Sequence, residues 1–479
     1  MDIISYVEID PPTPHFSIII VGGGFSGAVL AAHLAHHSDD SFSVLVIDRA
    51  PACARGVAYG TQCGGHLLNV PAGNMSAVAD APDHFLSWAM ANYDSRVGAG
   101  HFLPRRLYGK YLESVLAQAA IDHPGKIVWK TDEVESVITE EDAVSVQCKS
   151  GAYTAEKLVL ALGNFPPSAA GLPDTLRTNP RFVANPWAID ALDGVENESS
   201  ILLMGSGLTG VDVCVGLRAR GFKGTIHLLS RRGLLPQKHK AGHAWLAFWN
   251  ESAPRTTRGL LRLIRRQIEL AQHQGNDWRA VIDSLRRQTP AIWHSLPRAE
   301  KRRFLRHLRP YWEVHRHRVA PEIADSLEQQ IATGGIATHA GRVTDCYEQG
   351  DKLEVVFRDR KTGNLAPLTV DRIFNCTGPE ADCRKLDSPL LKSLLSQGLA
   401  RTDALNLGLD VTEDGALIER NGTASDLVYT VGPARKGRLW ETTAVPEIRQ
   451  QIAALSQLLT KDRRPAELHQ VAQPSPVLT

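Results

Sequence analysis

Apolar residues along the chain fall into two textures, and one of them occurs twice. Residues 16–21 (FSIIIV) form an unbroken apolar run, the pattern of a parallel strand buried on both faces. Glycines follow, then a helical stretch over 28–37, then a second strand over 44–47 that ends at Asp48. The same order returns at 200–204, followed by Gly205-Ser206-Gly207-Leu208-Thr209-Gly210. A helix to about Arg220 and a strand over 225–229 come next, ending in Ser230-Arg231-Arg232. Each start has its own β-rich return. Residues 126–165 close on a strand over 158–162 and Gly163-Asn164, and residues 336–379 close on 372–375 and Cys376-Thr377-Gly378-Pro379. Repetition on that scale predicts an α/β fold with two Rossmann-like dinucleotide-binding domains.

The other texture lies between Arg232 and about Leu327, where strand signals are few and Arg and Trp abound. Leu261, Ile264 and Ile268 recur at the spacing of one helix face. From Arg255 to Arg318, fifteen Arg and one Lys stand against five acids. These patterns divide the chain. Residues 14–199 hold the first part of one nucleotide domain. Residues 200–335 hold the second domain, with a helical, Arg-rich insertion at about 234–327. Residues 336–465 carry the β-rich return and complete the first domain, and 466–479 are a tail.

Composition narrows the function classes. With 43% apolar and 22% charged residues, 479 residues are enough for two or three domains with real cores. A net charge of +1 points to neither nucleic acid nor a membrane surface as partner, and the local Arg excess carries no interleaved nucleic-acid motif. The longest apolar stretch, 18–35, is interrupted by Gly22, Gly23, Gly24 and Gly27, which suits a strand–turn–helix and not a membrane span. Seven Cys at irregular spacing give no disulfide framework, and the first residues lack a basic leader region, so a cytoplasmic location is expected.

Gly22-x-Gly24-x-x-Gly27 has a chemical reason at each position. Gly22 makes the tight turn, Gly24 lets main chain approach a diphosphate at the positive end of a helix, and Gly27 allows close helix–strand packing. Asp48, at the end of the second strand, can accept hydrogen bonds from a ribose. Its place at the amino terminus assigns this site to FAD, since flavoproteins of the two-dinucleotide fold begin this way. Gly205, Gly207 and Gly210 repeat the fingerprint, but Ser230, Arg231 and Arg232 replace the acid. Arginine can bind a 2′-phosphate that a carboxylate would repel, which favours NADPH and leaves NADH open.

Further blocks carry a resemblance. They are Gly56-Val57-Ala58-Tyr59-Gly60, His66-Leu67-Leu68-Asn69-Val70-Pro71-Ala72-Gly73-Asn74-Met75-Ser76, Pro104-Arg105-Arg106-Leu107-Tyr108-Gly109, His315-Arg316-His317-Arg318, Asn375-Cys376-Thr377-Gly378-Pro379 and Leu439-Trp440-Glu441-Thr442-Thr443-Ala444-Val445-Pro446-Glu447. With the fingerprint through Gly27, they make the chain resemble, over nearly its whole length, the FAD/NAD(P)-binding family that includes bacterial urate hydroxylases and aspartate N-oxygenases. The resemblance implies cofactor contacts at Phe25, Ser26, Asn69 and Val70. It also implies strand-exit turns beside the dinucleotides at Gly163 and Gly378. Residues 429–433 look like the late flavin-contact strand of such proteins, with Gly432 admitting the ribityl chain. The helix after Ala444 would then aim its N–H groups at the flavin.

The resemblance implies hydride transfer from a nicotinamide to FAD, followed by oxygen insertion into a small polar substrate through a flavin C4a-hydroperoxide. Its partners would be that substrate and O2. Urate, giving 5-hydroxyisourate, is the specific expectation. The alternatives are an N-hydroxylase of an amino acid, a reductase serving a quinone, small acceptor or partner protein, and a flavin-binding regulator. Cys53 and Cys63 lie ten apart, so no CxxxxC redox pair follows the first unit. Residues 182–187 lack the Gly and His of a Baeyer–Villiger fingerprint, and no zincin spacing or other metal motif occurs. His315 and His317 are the catalytic candidates, although their alternation with Arg suits a polar packing element better.

Overall fold

A computed structural model describes residues 13–51, 54–169 and 171–461. The expected tail at 466–479 and Cys53 lie outside the described residues. Two sheets organise the chain. The first runs, in spatial order, Ala416–Ile418, Ala424–Thr430, Gly151–Leu160, His15–Val21, Val44–Asp48, Ile127–Thr131. Its central strands are parallel, with Ile20 opposite Val46 on one side and Val159 on the other. Ile18, Ile19 and Ile20 are buried, which is why this strand reads as a continuous apolar run. Burial of each such side chain contributes roughly 1.5–3 kcal/mol.

The second sheet repeats the plan: Leu365–Val370, Lys352–Asp359, Ile336–Gln349, Thr225–Ser230, Ser200–Met204, Arg372–Asn375, Phe182–Val183. Both β-rich returns therefore join the sheet of the unit that precedes them, and the chain re-enters the first sheet only at 416–430. One strand departs from the expected division. Phe182–Val183, within the stretch 14–199 assigned to the first domain, pairs with Arg372–Asn375 in the second sheet. A two-residue strand has no periodicity to reveal its sheet. The fold expected from the repeat is otherwise the one observed.

Helices Phe25–His37 and Leu208–Ala219 follow the glycine loops of the two units. Helix Val445–Lys461 buries Ile448, Ile452, Leu455 and Leu459 in the same core as Phe25–His37. The insertion contains helices Thr257–His273, Trp278–Ser284, Thr289–Ser295, Arg298–His307 and Arg309–Arg316. Its first stretch, 241–256, is neither helix nor strand up to a turn near its end, a difference from the helical expectation. Pro321–Ala332 packs Ala324 and Leu327 on the second unit's core and so serves as one of that unit's own covering helices. The insertion has a small core where Trp293, Leu296 and Leu260 meet Leu407 and Trp440 of the late chain. No helix among the described residues is long and apolar enough to cross a membrane.

Candidate functional site

Two glycine cradles form by the same contacts. Gly22 has φ +102°, and a Cβ there would stand 2.4 Å from Ala161 O. A Cβ on Gly27 would stand 1.9 Å from Gly22 O, so only glycine lets helix Phe25–His37 sit this close to its strand. In the second unit the equivalent gaps are 2.1 Å from Gly205 to Cys376 O and 2.4 Å from Gly210 to Gly205 O. Gly22 N–H donates to Ile47 O and Gly205 N–H to Leu229 O, both at 2.8 Å. Gly24 and Gly207 are the N-caps, neither helix has a side-chain cap, and neither has an acid in its first turn. Those N–H groups are the donors a diphosphate needs. The cradles fit a dinucleotide on this ground.

Gly163 (φ +65°) and Gly378 (φ +89°) take matching left-handed turns after strands Gly151–Leu160 and Arg372–Asn375, with open space on the side a Cβ would take. Asp48 accepts from Gly23 N–H through Oδ2 and from Ala50 N–H (2.7 Å) through Oδ1. Each carboxylate oxygen keeps a further lone pair for a ribose hydroxyl. At the second cradle the Ser206 hydroxyl donates to Leu234 O (2.6 Å) and lies 2.7 Å from the Ser230 hydroxyl, which accepts from Gly233 N–H (3.0 Å). Arg232 lies over the Tyr311 ring at 5.0 Å and donates to its hydroxyl at 3.2 Å. Arg231 is exposed. Partial desolvation and the charges of Arg309, Arg342 and Arg232 pull its pKa down. Four guanidinium groups thus converge where the second strand ends.

The remaining candidates gather around the first cradle. Phe25 and Ser26 are buried in the first helical turn, Phe25 against Tyr59 (6.5 Å) and Tyr108 (6.4 Å). Gly432 (φ +84°) lies on that turn, where a Cβ would come within 3.0 Å of Ser26 Oγ. Its N–H donates to Gln451 Oε1 (3.0 Å), and Thr442 Oγ1 donates to its carbonyl (2.7 Å). Gln451 Nε2 donates to Thr442 Oγ1 (2.8 Å), so this buried network fixes the start of helix Val445–Lys461 beside the first cradle. Val70 packs on the first core, and Asn69 O accepts from His239 Nε2 at 3.0 Å.

His315 and His317 are separated. His315 Nδ1 donates to Tyr311 O (2.7 Å) and its ring meets Trp278 edge-on at 4.8 Å. His317 lies just past the end of helix Arg309–Arg316, with Nε2 3.4 Å from Glu441 Oε2. Glu441 is buried and also accepts from Trp312 Nε1 (2.8 Å). Burial opposes its ionisation, but His317, Arg316 and Trp312 outweigh that and hold its pKa well below the carboxylate range. Glu447 accepts from Arg316 (3.1 Å) and, through both its oxygens, from Nε and Nη2 of Arg286. These carboxylates fasten the insertion to the segment that begins the last helix.

Sequence reasoning passed over several of these groups. Gly23 must be glycine because a Cβ would fall 2.1 Å from the Trp129 ring. Arg105, quoted only as part of a block, pairs Nη1 and Nη2 with Asp212 Oδ2 and Oδ1 at 2.8 and 2.9 Å. Asp212 follows Gly210 by two residues, and its carbonyl also accepts from His66 Nε2 (2.8 Å). This buried pair locks the second cradle's helix to the 66–105 segment of the first unit. Trp440 holds φ +64°, a strained conformation for a side-chain-bearing residue, and stacks on Trp293 at 4.8 Å. No spacing rule marks any of them.

Residues 19–165 match the FAD-NAD(P)-binding family model. No curated protein matches the chain. Among solved structures, L-lysine 6-monooxygenase from Pseudomonas syringae is similar at 16% identity, with 93% of this chain and 99% of that one covered and a TM-score of 0.64. An ornithine N-hydroxylase from Kutzneria sp. 744, solved with reduced FAD, NADP+ and L-ornithine, is similar at 13% identity, 93% and 99% coverage and a TM-score of 0.63. A bacillithiol disulfide reductase from Staphylococcus aureus is similar at 13% identity, 94% and 100% coverage and a TM-score of 0.56. At such identities the likeness is one of fold. The first unit accordingly matches a FAD-NAD(P)-binding family model, and the chain as a whole shares the fold of these flavoprotein structures. Among the described residues no cluster of side chains could hold a metal ion.

Proposed function

We propose that the chain is an FAD-dependent NADPH monooxygenase acting on a small polar substrate. The observation that carries this reading is the pair of cradles built on matching glycine contacts, one ending in Asp48 and the other in an arginine cluster. Bound FAD supplies hydride acceptance from NADPH and the activation of O2. The chain's residues supply the rest. Gly24 and Gly207 would admit the two diphosphates, and Asp48 would hold the FAD ribose. Arg231 and Arg232 select the 2′-phosphate. Gly163, Gly378 and Gly432 give the cofactors room at the strand exits.

The Arg105–Asp212 pair ties the helix of the second cradle to the 66–105 segment of the first unit, and so would hold the two cofactor sites at a fixed separation. The N-terminal N–H groups of helix Val445–Lys461, beside the first cradle, would favour negative charge on a flavin bound there. The insertion, fastened through Glu441 and Glu447 to the segment that begins the last helix, would serve to exclude water from the reaction. Substrate oxidation at nitrogen agrees with the amine N-hydroxylases of similar fold, and oxidation of urate at carbon agrees with the family resemblance.

The test is reconstitution with FAD followed by anaerobic addition of NADPH, then oxygen and substrate. Bleaching of the flavin, and hydroxylated product formed in step with NADPH consumption, are expected. Acceptor-dependent turnover without oxygen, with a quinone or a disulfide, would replace this reading by a reductase.

A further inference from the structure

The clearest unmet hydrogen-bonding demand belongs to Arg318, whose Nε and Nη1 are buried without a partner. The residue is only 3% exposed. Its Nη2 donates to Asp283 Oδ1, but the Asp283 side chain is 49% exposed, so water competes for that carboxylate and screens it. Arg316 also has an unpartnered Nε, but it sits between the buried carboxylates Glu447 and Glu441, which balance its charge. Native proteins seldom leave buried charged donors unmatched, so an acceptor belongs here.

Position says what kind of acceptor it is. The segment carrying Arg318 pairs with 237–239, through Val319 N–H to Gln237 O and His239 N–H to Val319 O, both 3.0 Å. His239 in turn donates to Asn69 O (3.0 Å) and packs on Phe102 at 4.9 Å. Arg318 therefore stands at the seam between the insertion and the 66–76 segment of the first unit. Burial, and then the charge of Arg318, push the His239 pKa down to about 4, so His239 is neutral at pH 7 and adds no positive charge of its own. Arg318 is left as a fixed, incompletely neutralised cation with two donors to spare.

We propose that Arg318 anchors an acidic group of the substrate, a carboxylate or a ring oxyanion, through Nε and Nη1. The inference rests on the monooxygenase reading and deepens it: the preferred substrates are anionic or zwitterionic, and a simple diamine is excluded.

The FAD-loaded enzyme is titrated with urate, L-aspartate, L-lysine and cadaverine, following both perturbation of the flavin spectrum and NADPH oxidation. L-Lysine and cadaverine differ only by the carboxylate, which makes them the deciding pair. A saturable response to at least one acidic compound and none to cadaverine is expected. Arg318→Gln then weakens that response on the order of 100-fold, Arg318→Lys restores part of it, and any change in the NADPH KM is at least about tenfold smaller. Three results overturn the proposal: a response to cadaverine equal to that of L-lysine, no response to any acidic compound, or an Arg318→Gln effect confined to NADPH. If the wild-type flavin still bleaches anaerobically with NADPH, those results leave the function reading standing. Absence of bleaching sinks that reading by itself.

Discussion

The two cradles share a backbone and differ in what closes them. In both, a glycine at positive φ presses on a carbonyl of the returning strand, and a second glycine presses on the first. In both, the helix begins on an uncapped glycine. The first is closed by Asp48, which binds the loop's own Gly23 N–H. The second is closed by neutral Ser206 and Ser230, with Arg231, Arg232, Arg309 and Arg342 beyond them. The shared part recognises a diphosphate, which every dinucleotide has. The differing part sits at the second strand's end, where ribose and 2′-phosphate distinguish one dinucleotide from another. Duplication thus conserves geometry, and specificity is written in a few side chains at one place.

The largest effect expected from breaking this symmetry comes from the packing glycines. Gly27→Val drives side-chain atoms into Gly22 O and should cost more than about 4 kcal/mol, yielding insoluble or colourless protein. Gly210→Val makes the equivalent clash in the second unit and should damage NADPH reduction more than FAD retention. If both variants lose FAD equally, as read from the absorbance of purified protein, the two units do not act separately. Next, Asp48→Ala removes a charged acceptor and should weaken FAD binding on the order of 10- to 100-fold, measured by fluorescence titration of apoprotein. An unchanged affinity would remove Asp48 from the site.

Arg231→Ala combined with Arg232→Ala should raise the NADPH KM roughly tenfold or more while barely moving that for NADH. Equal changes for the two would reject the 2′-phosphate role. The smallest effect concerns the histidine pair of the second sheet, His227 Nδ1 and His339 Nε2, 3.1 Å apart. Burial, and then His339, push the His227 pKa down to about 4. The unfolded value is about 6.5, so the unfolded chain binds more protons between these limits. This contribution to stability is complete above about pH 6.5 and is lost as pH falls towards about 4. His227→Gln should flatten that decline in urea midpoints taken at pH 7 and pH 5, and an undiminished slope would assign the decline to other groups.

The amino-acid sequence by itself determined the repeat, the glycine loops and the order of strand and helix around them. Each glycine loop, its helix and the strand that follows lie within about thirty residues, where apolar runs, glycine spacing and a terminal acid act through local geometry. The strands His15–Val21 and Ser200–Met204 and their helices lie where the pattern placed them. Tertiary structure alone decided which sheet receives Phe182–Val183, that Asp212 meets Arg105, and that Glu441 gathers His317, Arg316 and Trp312. It also decided that Arg318 keeps two buried donors unmatched and only an exposed carboxylate, while Arg316 keeps one and lies between two buried carboxylates. Arg316 and Arg318 are neighbours of the same type in the sequence, and no periodicity separates them. What separates them is the carboxylates brought from distant segments, because the state of a buried charge depends on everything that surrounds it in space.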